Sequence, residues 1–314
     1  MSGQPPLLLV GHGTRSELGV AQFVNFVERV RLRLAGQVPA VRGGFIELAS
    51  PPVGLPVAEL VAAGFPRLAV VPMVLSAAGH GKGDIPATLA RERARHAGLV
   101  YYYGRPLGPH PLLQEVLAER IAAVDDGGEQ VHVLLVGRGS SDPDSNAEVA
   151  KVARLLWEGR GYANVEFAFV SLADPGVAAG LERLRCLGAR RIVVAPYFLF
   201  EGVLPDRIVA QYQEFASEHP ELDIRGAAVI GDCDKLALLV AERYREALMG
   251  DIRMNCDTCA YRVALPGFGD KLGRPQVPHH HPDELDHEHI HDHDAHDDHE
   301  HSYHGRTAET ENQQ

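Results

Sequence analysis

The sequence predicts an α/β protein built from two similar three-layer α/β/α domains, each with a four-stranded parallel sheet. Two observations support this fold class. Short apolar runs rich in β-branched residues alternate along the chain with longer segments of helical periodicity. The motifs of residues 1–126 then return, in the same order, in residues 129–250.

The apolar runs are predicted as strands of a parallel sheet covered on both faces, because they do not alternate with polar residues. They are residues 6–10, 41–48, 68–75, 99–103, 131–136, 165–172, 192–198 and 224–230. The helical segments lie near 17–35, 52–63, 86–97, 111–124, 145–160, 176–187, 206–218 and 234–249. Eight strands and eight helices would also fit a single (β/α)₈ barrel.

An internal repeat favours two domains over the barrel. The matched segments are VGHGTRSE (10–17) with VGRGSSDP (136–143), FIELASPP (45–52) with FVSLADPG (169–176), and residues 64–85 with 188–208. We therefore predict an N-terminal domain at 1–126 and a C-terminal domain at 129–250 that forms the other wall of a cleft. A Cys-containing segment follows at 251–268, and a linker with a His-rich tail at 269–314.

The charge of the chain is concentrated in this tail. Of the formal net charge of −12, residues 279–314 contribute −10, so the other 278 residues carry only about −2. This balance excludes nucleic-acid binding through a basic surface as the main function of the chain. The tail also holds 11 of the 17 histidines, interleaved with acids and few apolar residues. We expect it to be disordered and to store, capture or deliver metal ions, the alternative being a merely solvated acidic tail.

No segment of the sequence predicts a membrane span or a signal peptide. The most apolar stretch, Ile192 to Phe200, has nine residues and contains Pro196, whereas a spanning helix needs about 20. The N-terminus has no charged region before its apolar run. We therefore expect a cytoplasmic protein that contacts neither membrane nor nucleic acid.

Three residues with metal-binding or proton-transfer side chains follow predicted strands. His12 follows the first strand, Glu47 lies at the end of the second, and His80 follows the third, between glycines. Open parallel sheets bind ligands at this edge, and two imidazoles with a carboxylate can bind a first-row divalent metal or move protons. The second copy has Arg138 in place of His12, Val203 in place of His80, and Leu172 or its neighbour in place of Glu47.

Other motifs give weaker signals. Gly11-His12-Gly13 lacks the third glycine of a dinucleotide-binding turn, because position 16 is Ser. Cys256 and Cys259 form a C-x-x-C that could supply half of a zinc or iron–sulfur site. The remaining ligands could come from Cys186 or Cys233, from the tail or from a second subunit, and the alternative is a pair of free thiols.

At these residues the sequence resembles the class II tetrapyrrole chelatases, and most of all the long sirohydrochlorin cobaltochelatases. The matching motifs are GHGTR (11–15), FIEL (45–48), GHGKGDIP (79–86), RGSSDPDSN (138–146), PYFLFEGVLPDRI (196–208), the M-x-C-x-x-C at 254–259 and the His-rich tail. The resemblance implies catalytic and metal-binding roles for His12, His80 and Glu47. It also implies a possible iron–sulfur centre at Cys256 and Cys259.

The implied reaction is the insertion of Co(II) into sirohydrochlorin in the anaerobic cobalamin pathway. Sirohydrochlorin carries several carboxylates, so the cleft should offer cations, for which Arg15, Lys82, Arg138 and Arg207 are candidates. Two alternatives stay open: a ferrochelatase for sirohaem, and a non-enzymatic cobalt or nickel storage protein. We expect a monomer, or a dimer formed through the Cys segment.

Overall fold

The computed structural model describes residues 3–125, 127 and 130–250. Its eight strands are β1 (Leu7–Gly11), β2 (Val41–Phe45), β3 (Arg67–Pro72), β4 (Val100–Tyr103), β5 (His132–Gly137), β6 (Asn164–Phe169), β7 (Arg191–Pro196) and β8 (Asp223–Gly226). Its α-helices are α1 (Glu17–Arg33), α2 (Gly54–Ala62), α3 (Ile85–Arg95), α4 (Pro111–Ala122), α5 (Pro143–Trp157), α6 (Val177–Cys186), α7 (Val203–Glu218) and α8 (Asp234–Met249). The predicted order of strands and helices is confirmed.

The strands form two parallel sheets of identical topology. The orders are β2-β1-β3-β4 in the first half of the chain and β6-β5-β7-β8 in the second. In each sheet the first strand of the half lies centrally, paired on both sides, and is fully buried or nearly so. This arrangement explains why the runs at β1 and β5 are apolar throughout, and it confirms the predicted fold class.

The last helix of each half packs on the other half. Helix α4 contacts α5 and β7, whereas α8 contacts α1, β3 and β4. On α8, the buried Arg243 donates to the carbonyls of Pro106 (2.9 Å) and Leu107 (3.0 Å), which follow β4. A single cluster of buried apolar side chains runs through both halves as a result, and the described residues of both belong to one compact unit. The domain boundary at 126–129 stays a prediction.

Several predicted features lie outside the described residues. They are the Cys segment with Cys256 and Cys259 and the His-rich tail from 269 onward. In the part of the chain that the structure describes, no helix is both long enough and apolar enough to cross a bilayer. The cytoplasmic location and the oligomeric state stay predictions.

Candidate functional site

His12 and Glu47 are brought together by two adjacent strand ends. β1 ends at Gly11 and β2 at Phe45, and the backbone pairing continues past both, with the amide of Glu47 donating to the carbonyl of His12 (3.1 Å). The side chains meet as well, with His12 Nδ1 3.0 Å from Glu47 Oε1. The sequence predicted Glu47 at the end of the second strand. In the structure β2 ends at Phe45, and Glu47 lies in the loop that follows it.

A glycine contact fixes this pair of loops, and it recurs in the second half. Gly13 has φ of 109°, and a Cβ there would lie 1.8 Å from the carbonyl oxygen of Glu47. Gly139 has φ of 86° and stands in the same relation to the carbonyl oxygen of Ser171. The structural counterpart of Glu47 is thus Ser171, the neighbour of Leu172.

His80 reaches the same place from the third strand. It begins a π-helical turn, His80–Asp84, that leads into α3. Its ring centroid lies 4.0 Å from that of His12, and its Nδ1 is hydrogen-bonded to Asp84 Oδ2 at 2.5 Å. His80 is buried, whereas His12 is half-buried. The structure therefore brings the three predicted residues together and adds Asp84, which the sequence analysis left without a role although the i, i+4 spacing within one turn could have indicated it.

Each imidazole has a carboxylate at Nδ1, hydrogen-bonded in His80 and at ion-pair distance in His12. A carboxylate at Nδ1 favours the tautomer with its proton there, and that tautomer carries its lone pair on Nε2. Among the described residues, no group of three or more His, Cys, Asp or Glu side chains is arranged to hold a metal ion. The site is thus a pair of oriented imidazoles rather than a closed cage of ligands, and the role of Glu47 as a metal ligand stays a prediction.

The predicted cations occupy different environments. Arg138, from the second half, is half-buried, and its pKa is lowered by burial, while the negative charge of Glu47 acts in the opposite direction. It therefore lies within electrostatic range of the imidazole–carboxylate pair. Arg15 is exposed just beyond His12, and Arg207 is half-buried on the first turns of α7. Their contacts with a substrate stay predictions.

Lys82 has a different environment from the other three. Its ammonium is buried and lies 2.7 Å from Asp142 Oδ2 and 3.1 Å from Asp144 Oδ2, both on the second half. Contact with a substrate carboxylate would require this buried ion pair to break. The geometry therefore favours a structural role for Lys82 over the substrate-binding role predicted from the sequence.

The loop that carries His80 is attached to the N-terminus of α5 by further contacts. Ser76 Oγ lies 2.7 Å from Ser145 Oγ, and the amide of Ala77 donates to Glu148 Oε2 at 3.2 Å. Burial raises the pKa of Glu148 to about 7, although the hydrogen bond from Ala77 opposes this shift. The sequence analysis did not predict these contacts. Asp142 is the N-cap of α5, and because Asp is common at that position, its presence there does not by itself indicate a contact with another segment.

The cysteines within the described residues do not add to this site. Cys186 lies on the exposed face of α6, with Sγ 3.4 Å from Glu182 Oε1. Cys233 is half-buried at the N-cap of α8. Whether either one joins Cys256 and Cys259 in a metal site stays a prediction.

Comparison with known proteins places the chain in a family. The CbiX family model matches residues 6–124 and 132–247, one segment in each half. The chain is 34% identical to a sirohydrochlorin cobaltochelatase of Priestia megaterium, over 82% of this chain and 85% of the relative. It is 32% identical to a sirohydrochlorin ferrochelatase of the same species, over 77% of this chain and 90% of the relative.

Solved structures with a similar fold come from the same group of proteins as the relatives found by sequence. SirB from Bacillus subtilis with Fe³⁺ superposes with a TM-score of 0.70 at 27% identity, covering 79% of this chain and 97% of SirB. The sirohydrochlorin chelatase SirB from B. subtilis subspecies spizizenii, in complex with cobalt, gives a TM-score of 0.66 at 26% identity and the same coverage. The resemblance predicted from the motifs is confirmed: the chain belongs to the CbiX family, together with these sirohydrochlorin chelatases.

Proposed function

We propose that this protein inserts Co(II) into sirohydrochlorin and releases two protons, giving cobalt-sirohydrochlorin. The observation that carries the proposal is the contact between the rings of His12 and His80, each with a carboxylate at Nδ1. A neutral imidazole is a suitable ligand for Co(II) and also a base near neutral pH. The same two side chains can therefore first bind the metal ion and then accept the protons.

The reaction exchanges metal for protons at these rings. Nε2 of each imidazole holds the incoming Co(II), which then moves to the macrocycle nitrogens. Each released lone pair accepts one of the two pyrrole protons, so charge and atoms balance. Glu47 and Asp84, at the opposite ring nitrogens, stabilise the imidazolium ions that result. Two ligands bind the metal weakly enough for it to leave, which a closed cage of four ligands would prevent.

Cobalt is proposed on the resemblance to the long cobaltochelatases, including the His-rich tail, and on the 34% identical relative. Iron is the second candidate, because a ferrochelatase relative is almost as similar and SirB is known with Fe³⁺. The storage alternative explains the tail and the Cys pair, but not two similar α/β domains of which only one carries His12 and His80 in its loops. No step of the proposed reaction needs a centre at Cys256 and Cys259.

The proposal is tested by anaerobic incubation with sirohydrochlorin and each of Co²⁺, Fe²⁺ and Ni²⁺, followed by absorbance. We expect the fastest spectral change with Co²⁺, and a rate lower by orders of magnitude in His12→Ala and His80→Ala. His219→Ala is the matched control, because that imidazole also lies beside a glutamate (Nδ1 3.4 Å from Glu221 Oε1) but at the end of α7.

Three outcomes would contradict parts of the proposal. Metal binding without any change in the tetrapyrrole spectrum would identify a storage protein. A faster reaction with Fe²⁺ would identify the ferrochelatase. Near-normal rates in both active-site variants would remove the two histidines from the mechanism.

A further inference from the structure

Two leucines have a backbone conformation that leucine rarely adopts. Leu48 has φ of 60° and Leu172 has φ of 62°, and they are the two non-glycine residues with positive φ in the part of the chain that the structure describes. Each is the centre of a γ-turn, in which the amide of Ala49 donates to the carbonyl of Glu47 (2.7 Å) and the amide of Ala173 to that of Ser171 (2.8 Å). A γ-turn with positive φ is the rarer and strained kind.

The strain is not offset by packing of these side chains. Leu48 is 40% exposed and Leu172 is 59% exposed, so neither contributes fully to a core. A glycine would form the same turn without strain. The chain nevertheless has leucine at the equivalent position of both halves. This combination indicates that the exposed isobutyl groups themselves have a use.

Both leucines are adjacent to the candidate site. Leu48 follows Glu47, and it lines a shallow depression with the apolar Val20 and Val24 and the charged Arg15 and Glu17. Leu172 follows Ser171, whose amide donates to the carbonyl of Arg138 (3.0 Å), and Arg138 is within electrostatic range of Glu47. Each turn therefore presents an apolar group close to an arginine. A flat ring with apolar faces and carboxylates at its edge has the chemistry that fits such a pair.

We propose that Leu48 and Leu172 contact the apolar faces of the tetrapyrrole and position it over His12 and His80. This inference rests on the proposed function, because the occupant is the tetrapyrrole substrate. The strained turns then act as rigid supports, since each holds its leucine in the solvent before the ligand arrives. Rigid presentation lowers the conformational entropy that would be lost on binding.

The test separates ligand contact from a structural role by comparing glycine and alanine at each position. Leu48→Gly and Leu172→Gly remove both the side chain and the strain, whereas the alanine variants remove the side chain alone. The affinity of the metal-free protein for sirohydrochlorin is measured by absorbance titration without added metal. Thermal unfolding of each variant is measured in parallel. Leu187, which is 58% exposed at the C-cap of α6 with φ of −79°, gives the control variants Leu187→Gly and Leu187→Ala.

We expect each glycine and alanine variant at Leu48 or Leu172 to bind sirohydrochlorin about tenfold more weakly, which corresponds to about 1.4 kcal/mol. Leu48→Met should retain most of the wild-type affinity for sirohydrochlorin, because methionine is an apolar side chain of similar volume to leucine. The glycine variants should unfold at or above the temperature of the alanine variants, because positive φ favours glycine. At Leu187 the glycine variant should unfold at a lower temperature than the alanine variant, and neither variant should change the affinity for sirohydrochlorin.

Other results would overturn the inference. Unchanged affinity in the double glycine variant would show that the leucines do not contact the ring. A fall of several degrees in the unfolding temperature of the glycine variants would assign them a structural role instead. A change in oligomeric state on gel filtration, with affinity retained, would show that a second copy of the chain covers them. If the wild-type protein itself fails to bind sirohydrochlorin, the proposed function is wrong and this inference fails with it.

Discussion

Replacing Lys82 with Met should destabilise the protein strongly, because it removes the ammonium group that pairs with two buried carboxylates. The side chains of Lys82, Asp142 and Asp144 are 7%, 3% and 3% exposed. Removing one partner of a buried ion pair costs about 3–5 kcal/mol, since the remaining charge stays out of water. For a chain of this size each kcal/mol lowers the unfolding temperature by about 2–4 °C. We therefore expect a fall of roughly 10 °C.

A matched control is available on the protein surface. Lys235 also pairs with two carboxylates, 2.7 Å from Glu115 and 2.5 Å from Glu119, but both glutamates are about half exposed. Exposed ion pairs contribute little to stability, so Lys235→Met should leave the unfolding temperature within about 2 °C. Differential scanning calorimetry at pH 7.5 measures both variants. Equal effects of the two substitutions, or an unchanged unfolding temperature for Lys82→Met, would refute the reasoning.

Two further predictions follow from the charge of Glu148 and of the tail. Burial raises the pKa of Glu148 from 4.5 to about 7, so between these two pH values the folded state keeps a proton that the unfolded chain loses. The free energy of unfolding therefore falls by about 3 kcal/mol as the pH rises from below 4.5 to above 7. Glu148→Gln should remove this loss while its amide oxygen still accepts from Ala77, so urea denaturation should show the variant gaining on the wild type from pH 5 to pH 8; parallel curves would contradict this. A chain truncated after Phe268 should keep its maximal rate in excess Co²⁺ but bind several fewer equivalents at pH 7.5, where imidazoles are mostly neutral, and lag only when cobalt is scarce. Equilibrium dialysis and a rate-versus-cobalt titration check the second prediction, and loss of turnover at saturating cobalt would make it wrong.

The fold could be predicted largely because local patterns determine its elements. The strands were recognised because burial on both faces leaves no polar alternation, as in β1 and β5. The packing of α4 on the second half of the chain, and of α8 on the first half, could not be predicted from such patterns. An amphipathic helix shows that it must cover a sheet, but its periodicity is the same whichever sheet it covers. Contacts such as that of Arg243 with the carbonyl of Pro106, 137 residues away in the sequence, depend on tertiary structure alone.

The sequence predicted the histidines of the candidate site but not the partners of Lys82. The positions of His12 and His80 after parallel strands predicted that they would meet, and the structure places their ring centroids 4.0 Å apart. The partner of Lys82 was not predictable, because a lysine in a glycine-rich loop is compatible with a substrate, with solvent or with an ion pair. Choosing among these requires knowing that the N-terminus of α5 lies beside the loop, which is a property of the assembled halves.

The duplication explains why one half carries His12 and His80 and the other carries charges that support them. Two identical halves would offer two equivalent imidazole pairs, whereas one macrocycle accepts one metal ion. In this chain the second half keeps the scaffold of strand ends, with the same glycine contact and the same γ-turn. It places Arg138 where the first half has His12, and its helix α7 begins at Val203 where the first half has the turn of His80. Asp142 and Asp144 of the second half then bind Lys82 in that turn, so the half that lacks counterparts of His12 and His80 helps to fix the position of His80.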